Sequence, residues 1–161
     1  MTEVIPITFS SPNYDKSNGI KIRGDCLYYT CLQLFPVMIV SLKMIKIDTN
    51  NGSIGKADVI YQSPFSFFDD FDIVDNGFVI ADIVDIPHSS GCLRFVSKDD
   101  RKLKGIFRHK NLIKPSSLKV VKMKTEHFEA GDILITEKGL HCVSWLRPDK
   151  EWREWLVGSL A

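Results

Sequence analysis

The stretch from Phe67 to Asp82, FFDDFDIVDNGFVIAD, constrains the fold more than any other part of this chain. Two apolar β-type runs flank Asp75-Asn76-Gly77, and Asn-Gly between such runs is a strong hairpin signal. An acidic pair, Asp69-Asp70, precedes the first run. Reading that run as Asp72 to Val74 places the pair at the start of a strand, at its solvated end. The second run is Phe78 to Ala81.

The same layout occurs twice more. Asn18-Gly19-Ile20-Lys21-Ile22, then a turn, then Leu27 to Thr30 matches it upstream. Downstream, Ser116-Ser117-Leu118-Lys119-Val120 and Leu134 to Glu137 match it again. Asn18, Asp69 and Ser116 are equivalent positions, roughly 50 residues apart. A four-strand unit repeating at about 40–50 residues is the signature of β-propeller blades. A β-sandwich whose hairpins resemble one another is the alternative on spacing alone. The remaining strands fit either architecture. Val37 to Ile47 alternates, with Met38, Val40, Leu42 and Met44 on one face; Ala57 to Tyr61, Leu93 to Val96, Leu103 to Phe107 and Leu140 to Leu146 follow. Val4 to Phe9 reads as a strand before the first unit. A helical period occurs at the tail, where Trp152, Trp155 and Leu156 fall at i, i+3 and i+4. The predicted fold is all-β: one partial propeller domain over residues 1–161, about three to four antiparallel four-stranded blades of a six-bladed type. Blade-like repeats cover roughly 17–62, 68–108 and 115–146, with a tail at 147–161.

Composition narrows the function. The net charge is +1, with 44% hydrophobic and 25% charged residues, so a core can be buried and no basic field invites nucleic acid or an anionic membrane. Lys119 to Lys124 reads as a half-buried strand with a solvated basic face, within a strand from Leu118 to Met123. The apolar run from Cys26 to Val40 is broken by Gln33 and Pro36 and falls short of the ~20 residues of a membrane helix. The four cysteines form no CxxC and no zinc spacing, and the first residues lack the pattern of a secretory signal. These features predict a cytoplasmic protein with reduced thiols.

In a propeller, residues that start each innermost strand converge on one end of the central channel. Asn18 then offers an amide oxygen, Asp69 a carboxylate and Ser116 a hydroxyl. Oxygen ligands from neighbouring blades suit a hard divalent cation. The plain reading is that Asn18 and Asp69 are turn or cap residues.

At these residues the chain resembles the senescence-marker-protein, gluconolactonase and luciferin-regenerating-enzyme-like β-propellers. Ser17-Asn18-Gly19-Ile20 is similar to that family's Asn-Gly-hydrophobic motif. Phe68-Asp69-Asp70-Phe71 and Gly77-Phe78-Val79-Ile80-Ala81 are similar to its Asp-Gly-hydrophobic segment and the strand after it. The resemblance covers roughly Asn13 to Gly139. It implies a metal-dependent hydrolase of a sugar lactone or similar small ester, with Asn18 and Asp69 as metal ligands and Asp69 as catalytic base. The implied cofactor is calcium, with zinc or magnesium as alternatives. Asp70, His88 and Ser116 are the implied substrate-binding residues; Asp70 also reads as a solvated turn carboxylate and His88 as a surface histidine. The chain departs from the family in having Asp70 where it carries Gly. Six blades of ~45 residues also require about 270 residues, so the chain resembles a C-terminal half, and the family's upstream Glu, Asn and Arg have no counterpart here. Such a half leaves blade edges that self-association would cover. Two further readings stay open: a small-molecule-binding propeller that guides a non-hydrolytic cyclisation, and a non-catalytic propeller remnant.

Overall fold

A computed structural model describes residues 16–34, 36–48, 50–85 and 90–158. The expected strand Val4 to Phe9 and the site candidate His88 lie outside the described residues. Among the described residues, eleven strands form three antiparallel sheets, each built from consecutive strands, and one helix follows them. The first holds β1 (Lys16–Arg23), β2 (Cys26–Gln33), β3 (Ile39–Lys46) and β4 (Asp58–Pro64). The second holds β5 (Ser66–Ile73), β6 (Gly77–Asp85), β7 (Cys92–Ser97) and β8 (Leu103–Phe107). The third has three strands, β9 (Pro115–Val120), β10 (Ile133–Glu137) and β11 (Cys142–Leu146). After β11 comes α1 (Lys150–Val157). The all-β class is therefore observed, and the three sheets do not close on one another among the described residues.

The sheets stack in chain order. β5 lies against β1 on one side and β9 on the other, so the first strands of the three sheets are neighbours. Two apolar layers fill the gaps. Leu32, Val40, Leu42 and Ile60 of the first sheet meet Phe68, Phe71, Phe78, Ile80 and Val96 of the second. Met38 and Met44 pack on this layer, on the β3 face read from the alternation. Val79, Leu93 and Phe95 of the second sheet meet Leu118, Val120, Ile133 and Ile135 of the third. The middle sheet is thus covered on both faces, and all six residues of β7 are buried.

That double burial has an electrostatic consequence. Arg94 points into the middle of the protein and needs a partner. Asp82, with no exposure at all, accepts its Nε–H at 2.8 Å. Arg94 also donates to Ser66 Oγ at 3.0 Å, and Phe67 N–H donates to Asp82 at 2.8 Å. Burial, outweighing these donors, holds the Asp82 carboxyl above its usual range.

The hairpin at Asp75-Asn76-Gly77 forms as its sequence predicts, but its strands are longer. β5 begins at Ser66 and not at Asp72, because pairing with β6 continues to Ser66↔Asp85. Gly77 is required for packing, since a Cβ there would sit 2.0 Å from Val96 O. The basic run stops being strand at Val120 and not at Met123. Lys122 donates to Ile73 O at 2.8 Å, and burial pulls its ammonium below the ordinary lysine range.

The tail helix forms where its period predicted. Asp149 caps it by accepting Trp152 N–H at 3.1 Å. Leu156 is fully buried in the layer between the second and third sheets. The C-terminal carbonyls of the helix close on the β5–β6 turn: Asp75 N–H donates to Leu156 O at 3.1 Å and Asn76 Nδ2 to Trp155 O at 2.8 Å.

Candidate site at three strand bulges

The equivalent positions Asn18, Asp69 and Ser116 each sit in a bulge of the first strand of a sheet. In β1, Ser17 pairs with Cys31 and Ile20 with Tyr29, so Asn18 and Gly19 together oppose Thr30. In β5, Phe68 pairs with Asp82 and Asp70 with Ala81, which makes Asp69 the extra residue. In β9, Pro115 pairs with Glu137 and Leu118 with Ile135, so Ser116 and Ser117 together oppose Thr136. A bulge leaves an amide without its ladder partner. In two sheets the opposing threonine supplies one: Gly19 N–H donates to Thr30 Oγ1 and Ser117 N–H to Thr136 Oγ1, both at 2.9 Å. The polar pairs Asn-Gly, Asp-Asp and Ser-Ser are thus the sequence mark of a repeated backbone irregularity.

The β5 bulge also explains the packing. Phe68 and Phe71 are three apart, yet both enter the layer facing the first sheet. Regular alternation would send them to opposite faces; the inserted residue restores the shared face and leaves Asp70 and Asp72 on the other.

Together the three bulges line one open cleft of about 510 Å³, with Asn18, Asp69, Asp70, Ser116, Ser117 and Lys21 on its walls. Asn18 is exposed and Asp69 half-buried. Asp69 Oδ2 accepts Lys138 Nζ at 2.8 Å and the Ser116 hydroxyl. Sequence reasoning missed Lys138, which arrives from the turn after β10.

Asp70 is not a solvated turn residue at a strand end. It lies inside β5 and is 8% exposed. Its carboxylate accepts Ser117 Oγ at 2.7 Å and Leu118 N–H at 3.3 Å, and pairs with Lys21 at 3.2 Å. Gly19 permits this approach, since a methyl there would meet Asp70 Oδ1 at 3.0 Å. Two residues on, Asp72 repeats the arrangement, accepting Val120 N–H at 2.9 Å and Lys119 Nζ at 3.1 Å. Alternate carboxylates of β5 therefore clip alternate amides of β9.

The donor set does not fit a resident divalent cation. A calcium site takes about 6–8 oxygens, several of them carboxylate. Here the cleft's two carboxylates are each neutralised by a lysine, and Asp69 Oδ2 already holds an ammonium and a hydroxyl. Among the described residues there is no group of three or more His, Cys, Asp or Glu that could hold a metal ion. What the cleft offers is a neutral, mixed set: the ammonium of Lys21 and that of Lys138 at Asp69, two carboxylates, three serine hydroxyls and one amide.

None of the four cysteines forms a disulfide, and no helix of the described residues is long and apolar enough to cross a membrane. No family model, no curated protein and no solved structure matches this chain.

Proposed function

We propose that the three sheets are propeller blades and that the cleft at their bulges binds a small, hydroxyl-rich carbonyl compound of the sugar-lactone or small-ester class. The observation that carries this reading is the meeting of Asn18, Asp69 and Ser116, one from each first strand, in a single polar cleft. Alternating hydroxyl, amide, carboxylate and ammonium groups match the alternating donors and acceptors of a polyol. Apolar ligands gain nothing there.

The pair Asp69–Lys138 supports hydrolysis as the reaction of this site. A lactone carbonyl that accepts an N–H from Lys138 draws the ammonium from Asp69. The freed carboxylate is then a base. Water adds its oxygen to the carbonyl carbon and gives its proton to Asp69, while Lys138 stabilises the developing oxyanion. Collapse breaks the ring C–O bond, and the leaving oxygen takes the proton back from Asp69. Asn18 and Ser116 orient the substrate.

Glucono-1,5-lactone turnover, followed by acid release in a pH-stat with and without calcium, tests this. Saturable turnover without added metal is expected, with kcat/KM falling by about 10²-fold in Asp69→Asn and Lys138→Met. Binding without turnover, measured by calorimetry, would reduce the site to a binding module. Stoichiometric calcium binding that Asp69→Asn abolishes would replace the cation-free chemistry with a metal-dependent one. Variants indistinguishable from wild type in both assays would sink the assignment of this cleft.

A further inference from the structure

Five acidic side chains are buried among the described residues: Asp70, Asp72, Asp82, Asp132 and Glu137. Four of them carry a cation. Asp70 has Lys21, Asp72 has Lys119, Asp82 has Arg94 and Asp132 has Arg147. Glu137, at 2% exposure, takes part in no ion pair among the described residues. Its partners are neutral donors, Ile113 N–H at 2.6 Å and the Ser144 hydroxyl. A carboxylate taken out of water without a counter-charge is costly, and two neutral donors offset that only in part.

Glu137 and Ser144 line a cavity of about 310 Å³ between β8 and the face of β10 and β11 that meets the second sheet. Its other walls include Phe107, Leu112, Ile135 and Leu146. The volume lies at the lower end of the ~300–1,000 Å³ range of small-molecule sites. His109, at the exposed rim, stacks on Phe107 with ring centroids 6.4 Å apart. Its Nδ1 faces Asn111 N–H at 3.2 Å, and it makes no ion pair with Glu137. Lys138, next in sequence, is spent on Asp69.

We propose that this cavity binds a small organic ammonium ion, its charge against the Glu137 carboxylate and its hydrocarbon body against Leu112, Ile135, Leu146 and the Phe107 ring. One carboxylate among mainly apolar walls falls short of the several oxygens at once that a hydrated metal ion needs. Such walls favour an amine whose cationic end is compact and whose remainder is apolar. The aromatic wall adds attraction for a cation. This site is separate from the bulge cleft and stands whether or not that cleft is catalytic.

The test compares 2-phenylethylammonium with its neutral counterpart 2-phenylethanol at neutral pH. Binding is followed by calorimetry and by the methyl signals of Leu112, Ile135 and Leu146 in carbon-13 NMR spectra. The ammonium is expected to shift these methyls and to bind at least tenfold more tightly than the alcohol. In Glu137→Gln the tenfold preference is expected to vanish while the methyl dispersion of a folded protein remains. A second variant, Leu146→Trp, fills the cavity and keeps the carboxylate; it is expected to abolish binding of both probes. The wild-type comparison decides even if Glu137→Gln fails to fold. Equal affinity for alcohol and ammonium, or ammonium binding that leaves the three methyls unmoved, would overturn the proposal.

Discussion

Asp72→Ala is expected to separate the two bonds that β5 makes to β9 at this point. Asp72 is 3% exposed, and its carboxylate serves one amide and one lysine of β9, besides the N–H of its own neighbour Ile73. The amide, Val120 N–H, belongs to a residue 1% exposed, so water cannot replace the lost acceptor. An unsatisfied buried donor costs about 1–3 kcal/mol. The lysine is different: the Lys119 side chain is 65% exposed, and an ion pair so open contributes ~0–1 kcal/mol. Alanine also opens a small void. The sum is a loss of about 2–4 kcal/mol, a large share of a domain stability of about 5–15 kcal/mol. Asp72→Asn keeps an oxygen for Val120 and is expected to cost about 1 kcal/mol. Lys119→Met alone should cost less still. Urea unfolding of the three variants at neutral pH gives these differences, provided the m-values agree. The reasoning fails if Asn is as damaging as Ala, which would make charge, and not the amide, the main term. It fails equally if Lys119→Met matches Asp72→Ala.

Two other perturbations follow from buried acids. Asp82→Asn takes the buried carboxylate from beside the Arg94 guanidinium and is expected to cost ~1.5–3 kcal/mol, whereas Asp82→Asn with Arg94→Met should recover part of that loss in a thermal or urea melt. Asp132 gives a pH signature. Burial pushes its carboxyl up, but Arg147, Glu129 N–H and Trp145 Nε1 together hold it below 3.8. Its contribution is therefore present above the unfolded pKa near 3.8 and is lost as pH falls through the lower folded value. Asp132→Asn should accordingly lower stability at pH 7 and flatten the acid limb of the stability curve below about pH 4; an unchanged acid limb would refute the assignment.

The repeat was legible because it lies in the local order of residue types. Asn18, Asp69 and Ser116 can be aligned by eye, since each precedes an apolar strand of similar length. Strand centres were legible for the same reason, as at Leu103 to Phe107, where the predicted and observed bounds agree. The bulges were not. A bulge is a mismatch between two strands, and alternation within one strand does not display it. The burial of Asp70 and Asp72 was hidden for a related reason. Their partners, Leu118 and Val120, come from a strand some 50 residues away, and the Asn-Gly turn beside them drew Asp69 and Asp70 toward a turn reading. One signal was available: Thr30 and Thr136 each stand opposite a polar pair, a recurrence that marks the irregular position. Lys138 had no signal in its own segment, where Glu-Lys-Gly reads as an ordinary turn.

The closing of α1 onto the β5–β6 turn has a consequence for how the protein is made. Each sheet consists of consecutive strands, so during synthesis each can assemble as it emerges from the ribosome, first to last. The layer between the second and third sheets cannot be completed in that way. Leu156 belongs to it, and the amides of Asp75 and Asn76 wait for the carbonyls of Leu156 and Trp155. A nascent chain stalled at Arg147 holds the eleven described strands and still lacks the residue that seals them. Over that interval the apolar faces of the second and third sheets are open to chaperones and to other nascent chains, and the emergence of α1 ends the exposure.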